Sequence, residues 1–127
     1  MVVVGAGPAG ATTSAFLCKQ KVAHVIIDKA IFPRDKICGD ALSGKVMPVF
    51  KKLDPNIIEN ISANKEQFLG SMGIKFAAPN GKSIDIPFNK DLSTLKHPPG
   101  FISKRIDFDN FLVQQIDTSI ADLRQGH

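Results

Sequence analysis

The chain has 127 residues, a formal charge of +4 and a hydrophobic share of 43%. This suffices for one compact domain and part of a second, at ordinary globular composition. The basic residues are scattered and none interleaves with an aromatic stripe, so no nucleic-acid partner is expected. No apolar run approaches the length of a membrane span, and MVVVGAG lacks a charged leader and a long apolar core, so no signal peptide is expected. Cys18 and Cys38 make neither a disulfide framework nor a zinc-ligand pattern. Reduced thiols, no metal and a cytoplasmic location are the expectation.

Met1 to Val4 is a β-branched run, predicted to be a fully buried strand. Pro8 suits the first turn of a helix, where its missing N–H costs nothing. A helix is predicted over 9–21, with Ala11, Ala15 and Leu17 as its small apolar surface and Lys19 and Lys21 at its C-terminal end. Val25-Ile26-Ile27 then read as a second buried strand ending at Asp28. Such a β-α-β unit implies a parallel sheet with a right-handed crossover. The segment KAIFPRDKICGDAL has mixed charge, a proline, a glycine and no clean period, which predicts a long ordered loop. Ser43 is a candidate cap for a helix ending near Leu53, with Pro48 restricting where it starts. Asp54-Pro55 marks a break, and residues 56–67 carry no decisive pattern.

GIKFAAPNGKSIDIPF carries a hairpin signal, because Asn80-Gly81 supplies positive φ angles between two β-rich arms. A loop with Pro98-Pro99 follows, then a short strand over 101–103. Asp107 is the expected cap of a last helix, whose apolar residues Phe108, Phe111, Leu112 and Ile116 fall at helical spacing. The stretch DTSIADLRQGH after Ile116 follows no recognisable pattern. The expected class is therefore α/β: a Rossmann-like β-α-β segment over 1–70, a β-hairpin insertion over 71–100 from a second, substrate domain, and a return to the first domain over 101–127.

GAGPAG has the form G-x-G-x-x-G between a strand and a helix, with an acidic residue about 20 positions on. Gly5 permits a tight turn, Gly7 lets a pyrophosphate touch the backbone, and Gly10 lets helix and strand pack closely. The N–H groups at the helix start favour the phosphates. Asp28 is placed to accept hydrogen bonds from the adenosine ribose and to repel the extra phosphate of NADP. A glycine turn without a ligand is the competing reading, and the motif alone leaves FAD and NAD both open.

Three stretches, taken together, narrow that choice. GAGPAG with its acidic partner, then FPRDKICGDALS, then KRIDFDNFL, resemble the geranylgeranyl reductase family within the larger FAD superfamily of p-hydroxybenzoate hydroxylase type. The family stretch R-x-x-x-C-G-[DE]-x-[LI]-S is filled by Arg34, Cys38, Gly39, Asp40, Leu42 and Ser43. Its later arginine with a phenylalanine-aspartate pair is matched by Arg105, Phe108 and Asp109. The resemblance implies FAD as cofactor. Gly5, Gly7, Ala9 and Gly10, with Pro8 among them, would surround the pyrophosphate. Asp28, beside Lys29, would bind the AMP ribose. Arg34, Cys38, Gly39 and Ala41 would line the extended flavin, and Arg105 would touch the cofactor near its phosphate or ribose end. It also implies NAD(P)H as electron donor and an isoprenoid double bond as substrate, and such a substrate suggests peripheral membrane contact. No residue stands out as catalytic, and nothing indicates an oligomeric state.

The resemblance reaches from residue 1 to about residue 116, while family enzymes are several times longer. The chain is thus expected to be the N-terminal part of such an enzyme, lacking the second flavin-contacting motif and most of the substrate domain. An aromatic monooxygenase or halogenase of the same superfamily is the alternative, as is a nucleotide-binding fragment without catalysis. Plain structural roles compete at single residues: Cys38 as a small buried residue, Arg105 as an ion-pair partner of Asp107 or Asp109, Asp40 as a turn former, and His24 as a structural histidine. His24, His97 and His127 have no metal or triad spacing, and His97 reads as loop surface. Family members commonly carry glycine where Lys21 stands, at the end of the first helix.

Overall fold

The structure, a computed structural model, describes residues 1–42, 44–91 and 93–127. The predicted cap Ser43 and its place in the R-x-x-x-C-G stretch lie outside the described residues. The chain divides into two compact units, residues 1–38 with 104–127 and residues 39–103. This grouping differs from the expected segments, since residues 39–70 group with the hairpin region and not with the first strands.

In the first unit, strand β1 (Val2–Val4), helix α1 (Pro8–Lys19) and strand β2 (His24–Asp28) form the predicted β-α-β unit. β1 and β2 run parallel, with Val3 opposite Ile26. The sheet order is β1-β2 followed by a late strand, Ala121–Gln125, which pairs parallel with β2 from His24↔Ala121 to Asp28↔Gln125. That strand falls in the stretch where the sequence offered no pattern. Its apolar content is slight: Ala121 is buried and Leu123 half-buried, while Asp122 and Arg124 are exposed. The expectation for β1 is also corrected. Val2 and Val4 are 60% and 80% exposed, because no described element covers their face.

Helix α1 buries Ala11, Ser14, Ala15 and Cys18. Ser14 Oγ lies 2.7 Å from His24 Nε2, and His24 Nδ1 lies 2.8 Å from the Val22 carbonyl oxygen, so His24 is a buried, fully partnered structural residue. The helix ends earlier than predicted. Lys21 has φ +59°, its N–H donates to the Cys18 carbonyl, and the Val22 N–H donates to the Leu17 carbonyl. These two bonds are the Schellman closure, in which a left-handed residue terminates the helix. The last helix of the unit runs from Arg105 to Val113, with Lys104 at its N-cap and Asp107 within its first turn. Asp107 is therefore not the cap, and the helix starts three residues earlier than the pattern suggested. It buries Phe108, Asp109, Leu112 and Val113.

In the second unit, a two-residue strand β3 (Ala41–Leu42) ends the long loop and pairs antiparallel with the strand Gly100–Ile102. Helix α2 (Val46–Leu53) takes Pro48 in its first turn, and α3 (Asn56–Ala63) occupies the stretch without a decisive pattern. Phe50, Leu53, Ile57 and Ile61 form the buried faces of these two helices. Strand β4 (Leu69–Ser71) pairs with the Gly100–Ile102 strand on its other side. The hairpin of β5 (Gly73–Ala77) and β6 (Ser83–Pro87) forms as predicted, but of Asn80-Gly81 only Gly81 takes a positive φ, +80°, and its N–H donates to the Ala78 carbonyl. On one of its faces Ile74 opposes Ile86 and Phe76 opposes Ile84, all exposed. In chain order, Gly100–Ile102 is β7, Arg105–Val113 is α4 and Ala121–Gln125 is β8. His97 is not bare loop surface. It is half-buried, with Nδ1 3.0 Å from Ser62 Oγ and Nε2 3.2 Å from Glu59.

Lys21→Gly tests the helix closure. The lysine holds a left-handed conformation that only glycine adopts without strain. The substitution is expected to leave stability unchanged or raise it by about 0.4–1 kcal/mol. Thermal unfolding reads the result, and a clear drop in midpoint would contradict the strain.

Candidate functional site

All three parallel strands of the first unit deliver their C-terminal ends to one place: Gly5 after β1, Asp28 at the end of β2, and Gln125 at the end of β8. That is where open α/β sheets bind ligands. A cleft of about 550 Å³ opens there, lined among others by Gly5, Asp28, Lys29, Arg34, Lys36 and His127. Its volume is in the range of small-molecule sites.

The glycine loop is built by close approach. A Cβ on Gly10 would stand 1.7 Å from the Gly5 carbonyl oxygen, so position 10 admits no side chain. Gly5 has φ +91°, which disfavours any other residue there. Pro8 lies in the first turn of α1, as predicted, and the helix begins at it, one residue before the expected start, with Gly7 as its N-cap. Ala9, exposed, lies in the same first turn. The Gly5 N–H donates to the Ile27 carbonyl at 2.7 Å and ties the loop to β2.

Asp28 makes a second tie. Its Oδ2 accepts the Ala6 N–H at 2.6 Å and its Oδ1 accepts the Ala30 N–H at 2.8 Å. Each carboxylate oxygen has two lone pairs, so acceptor capacity remains on the cleft side. Lys29 is exposed at the cleft rim.

Arg34, Arg105 and Cys38 also meet in this unit. Arg105 Nε and Nη2 donate to Asp109 Oδ1 and Oδ2 at 2.7 and 2.8 Å. Arg34 Nη1 lies 2.8 Å from Asp109 Oδ2, in an ion contact without hydrogen-bond alignment, and this buried nitrogen has no aligned partner. The Arg34 guanidinium sits 5.0 Å from the centre of the Phe32 ring. Its Nη2 is the nearest atom to the space above Gly7, 3.3 Å from where a Cβ would stand. Cys38 is exposed, not buried, and its sulfur accepts a hydrogen bond from Arg105. The Arg105 guanidinium is more basic than usual, chiefly because Asp109 accepts its hydrogen bonds; burial opposes this and Cys38 adds to it. The ion-pair reading of Arg105 thus holds, with Asp109 as partner.

Gly39 and Ala41 belong to the second unit, where the Ala41 N–H donates to the Gly39 carbonyl. Asp40 between them has φ +51°, in keeping with a turn former. Sequence reasoning missed Phe32, Gln125 and His127. Gln125 Oε1 accepts the Phe32 N–H at 2.6 Å, and His127 lines the cleft with its N–H donated to the Asp28 carbonyl. Phe32 was visible as part of FPRDKICG; Gln125 and His127 carried no local signal. Among the described residues no group of His, Cys, Asp and Glu could hold a metal, and no helix is long and apolar enough to cross a membrane.

A glycine cradle that a Cβ would fill, a helix N-terminus and the Arg34 Nη2 beside them together fit a dinucleotide diphosphate. Residues 1–99 match the FAD binding domain family, and the chain belongs to it. Conditioned medium factor receptor 1 of Dictyostelium discoideum is 27% identical over 99% of this chain. The menaquinone reductase of Mycolicibacterium smegmatis is 43% identical over 42% of it. The chain spans 25% and its matched part 13% of these two proteins. Among solved structures, the myxobacterial chondrochloren halogenase CndH shares the fold with a TM-score of 0.78 at 20% identity. The halogenase PltM, solved with phloroglucinol and FAD, gives 0.74 at 26%. Each covers 98% of this chain, which spans 28% and 27% of theirs. The chain is therefore an α/β member of the FAD binding domain family that spans about a quarter of the length of the full-length relatives it matches.

Gly10→Ala is expected to destabilise the protein by roughly 3 kcal/mol, the upper end of ordinary overpacking, since a backbone carbonyl blocks the methyl. Gly39→Ala, with nothing within 4 Å of the added carbon, should stay within about 0.5 kcal/mol of the parent. Urea unfolding of both variants compares them, and a neutral Gly10→Ala would refute the close approach.

Proposed function

We propose that this chain is the FAD-binding N-terminal part of a flavin-dependent reductase that hydrogenates an isoprenoid double bond, with NAD(P)H as electron donor. The observation that carries the cofactor half is the meeting of the glycine loop, Asp28 and Arg34 at one sheet end. The similarity to a menaquinone reductase, whose named substrate is an isoprenoid quinone, supports the reductase half. FAD, when bound, supplies the two-electron chemistry; the protein binds, orients and shields.

In this reading the N–H groups at the start of α1 and the Arg34 guanidinium hold the diphosphate. Asp28 accepts the ribose hydroxyls with the lone pairs its two backbone bonds leave over, and Lys29 lies beside it. Because Asp28 also fastens Ala6, it orders the loop that receives the diphosphate. Arg105 forks onto Asp109 of the same helix, and that carboxylate also meets Arg34. A second reading, aromatic halogenase or monooxygenase, is favoured by the 26% identity and TM-score of 0.74 to PltM.

The visible spectrum of the purified protein tests the cofactor. Oxidised flavin bands, released on denaturation as FAD, are expected; a colourless protein that ignores added FAD and binds NAD would overturn the proposal. Bleaching by NADPH without substrate supports the reductase, and bleaching only on addition of an aromatic substrate supports the second reading. Asp28→Ala is expected to weaken FAD binding more than about tenfold, since it removes charged acceptors from both ribose and loop. Quenching of flavin fluorescence measures this, and an unchanged affinity would remove Asp28 from the site.

A further inference from the structure

Asp109 is fully buried. A carboxylate in that position is tolerated only when paired and hydrogen-bonded. It has two cations on it. Arg105, one helical turn earlier on α4, grips it with a two-pronged fork at 2.7 and 2.8 Å. Arg34 comes from the loop after β2 and reaches the same carboxylate at 2.8 Å without an aligned hydrogen bond. Arg105 takes one site on each carboxylate oxygen, while Arg34 approaches Oδ2 out of alignment, so Arg34 is held by charge and not by a fork.

The rest of Arg34 is held as well. Its plane lies against Phe32, and Phe32 is fastened through its N–H to Gln125 at the end of β8. Its Nη2 end faces Gly7 at the start of α1. Two guanidiniums on one carboxylate leave one positive charge over, and the geometry directs it to the helix N-terminus.

We infer that Asp109 is a positioning residue of the cofactor site: its fork with Arg105 fixes the carboxylate, and the carboxylate holds Arg34 with its charge free for the diphosphate. This rests on the FAD reading above. A purely structural Asp109 would instead change stability and affect every ligand alike.

The test measures binding of adenosine, ADP and FAD by titration calorimetry to the parent chain, Asp109→Asn, Arg34→Gln and the double variant. Asp109→Asn should lose about tenfold or more in ADP and FAD affinity and leave adenosine within about twofold. The double variant should bind ADP no more weakly than Arg34→Gln alone, because both changes remove one device. Equal losses for adenosine and ADP, losses that multiply, or unchanged or tighter ADP binding would each overturn the inference; tighter binding is what the added positive charge alone would bring. If Asp109→Asn does not fold, Arg105→Lys decides. Lysine keeps the charge and cannot form the fork, so Arg34 should turn onto Asp109 and ADP affinity fall about tenfold with adenosine unchanged; unchanged ADP affinity would overturn the inference. A parent chain that fails to bind FAD overturns the site reading together with this inference, whereas a parent that binds alongside unaffected variants overturns the inference alone.

Discussion

The close approach of α1 to the Gly5 carbonyl governs the first unit. With no atom beyond hydrogen tolerated at position 10, the helix start is pressed against the turn that leaves β1. That contact sets where the first-turn N–H groups of α1 stand, and the dipole of a 12-residue helix acts only near its end. Asp28 then acts from the neighbouring strand. By accepting the Ala6 N–H it prevents the loop from relaxing away from β2, at the cost of no new element. Helix, loop and strand end are thereby locked with two backbone-level contacts, which is how a generic sheet end becomes a shaped receptor.

Local patterns were legible because their causes are local. The β-α-β unit follows from a β-branched run, glycines, a proline and another β-branched run within 28 residues. The Asn80-Gly81 hairpin is equally self-contained. The left-handed residue at Lys21 was flagged only by the glycine that the resembled family carries there, since lysine itself reads as a helix former. What failed depended on distant partners. β8 is defined by pairing with β2 nearly a hundred residues away, and its own sequence, ADLRQ, has little hydrophobic signature. β1 looked like a core strand because valine content reports propensity, whereas exposure depends on what lies across the face.

The site shows the same division. Gly5, Gly7, Gly10 and Asp28 could be assigned roles from spacing alone, since the motif encodes its own geometry. Arg34 and Arg105 entered only through resemblance, and their joint use of Asp109 is a tertiary fact: Arg34 reaches it from far along the chain, Arg105 from one turn away on the same helix. Gln125 acts on the cleft through Phe32, two steps removed from any ligand, so no ligand-centred motif would contain it.

Charge balance explains why such an arrangement suits a diphosphate. The Arg34–Asp109–Arg105 group carries one net positive charge, and a helix N-terminus contributes roughly half of another. Against the two negative charges of a dinucleotide diphosphate, this leaves about half a charge for the exposed lysines at the rim, Lys29 and Lys36, to screen. A site with both arginines and no carboxylate would bury two like charges in the same space, and one with a single arginine on Asp109 would present none. One buried aspartate shared between two arginines is the arrangement that keeps a cation beside the glycine loop without leaving a buried charge unpaired.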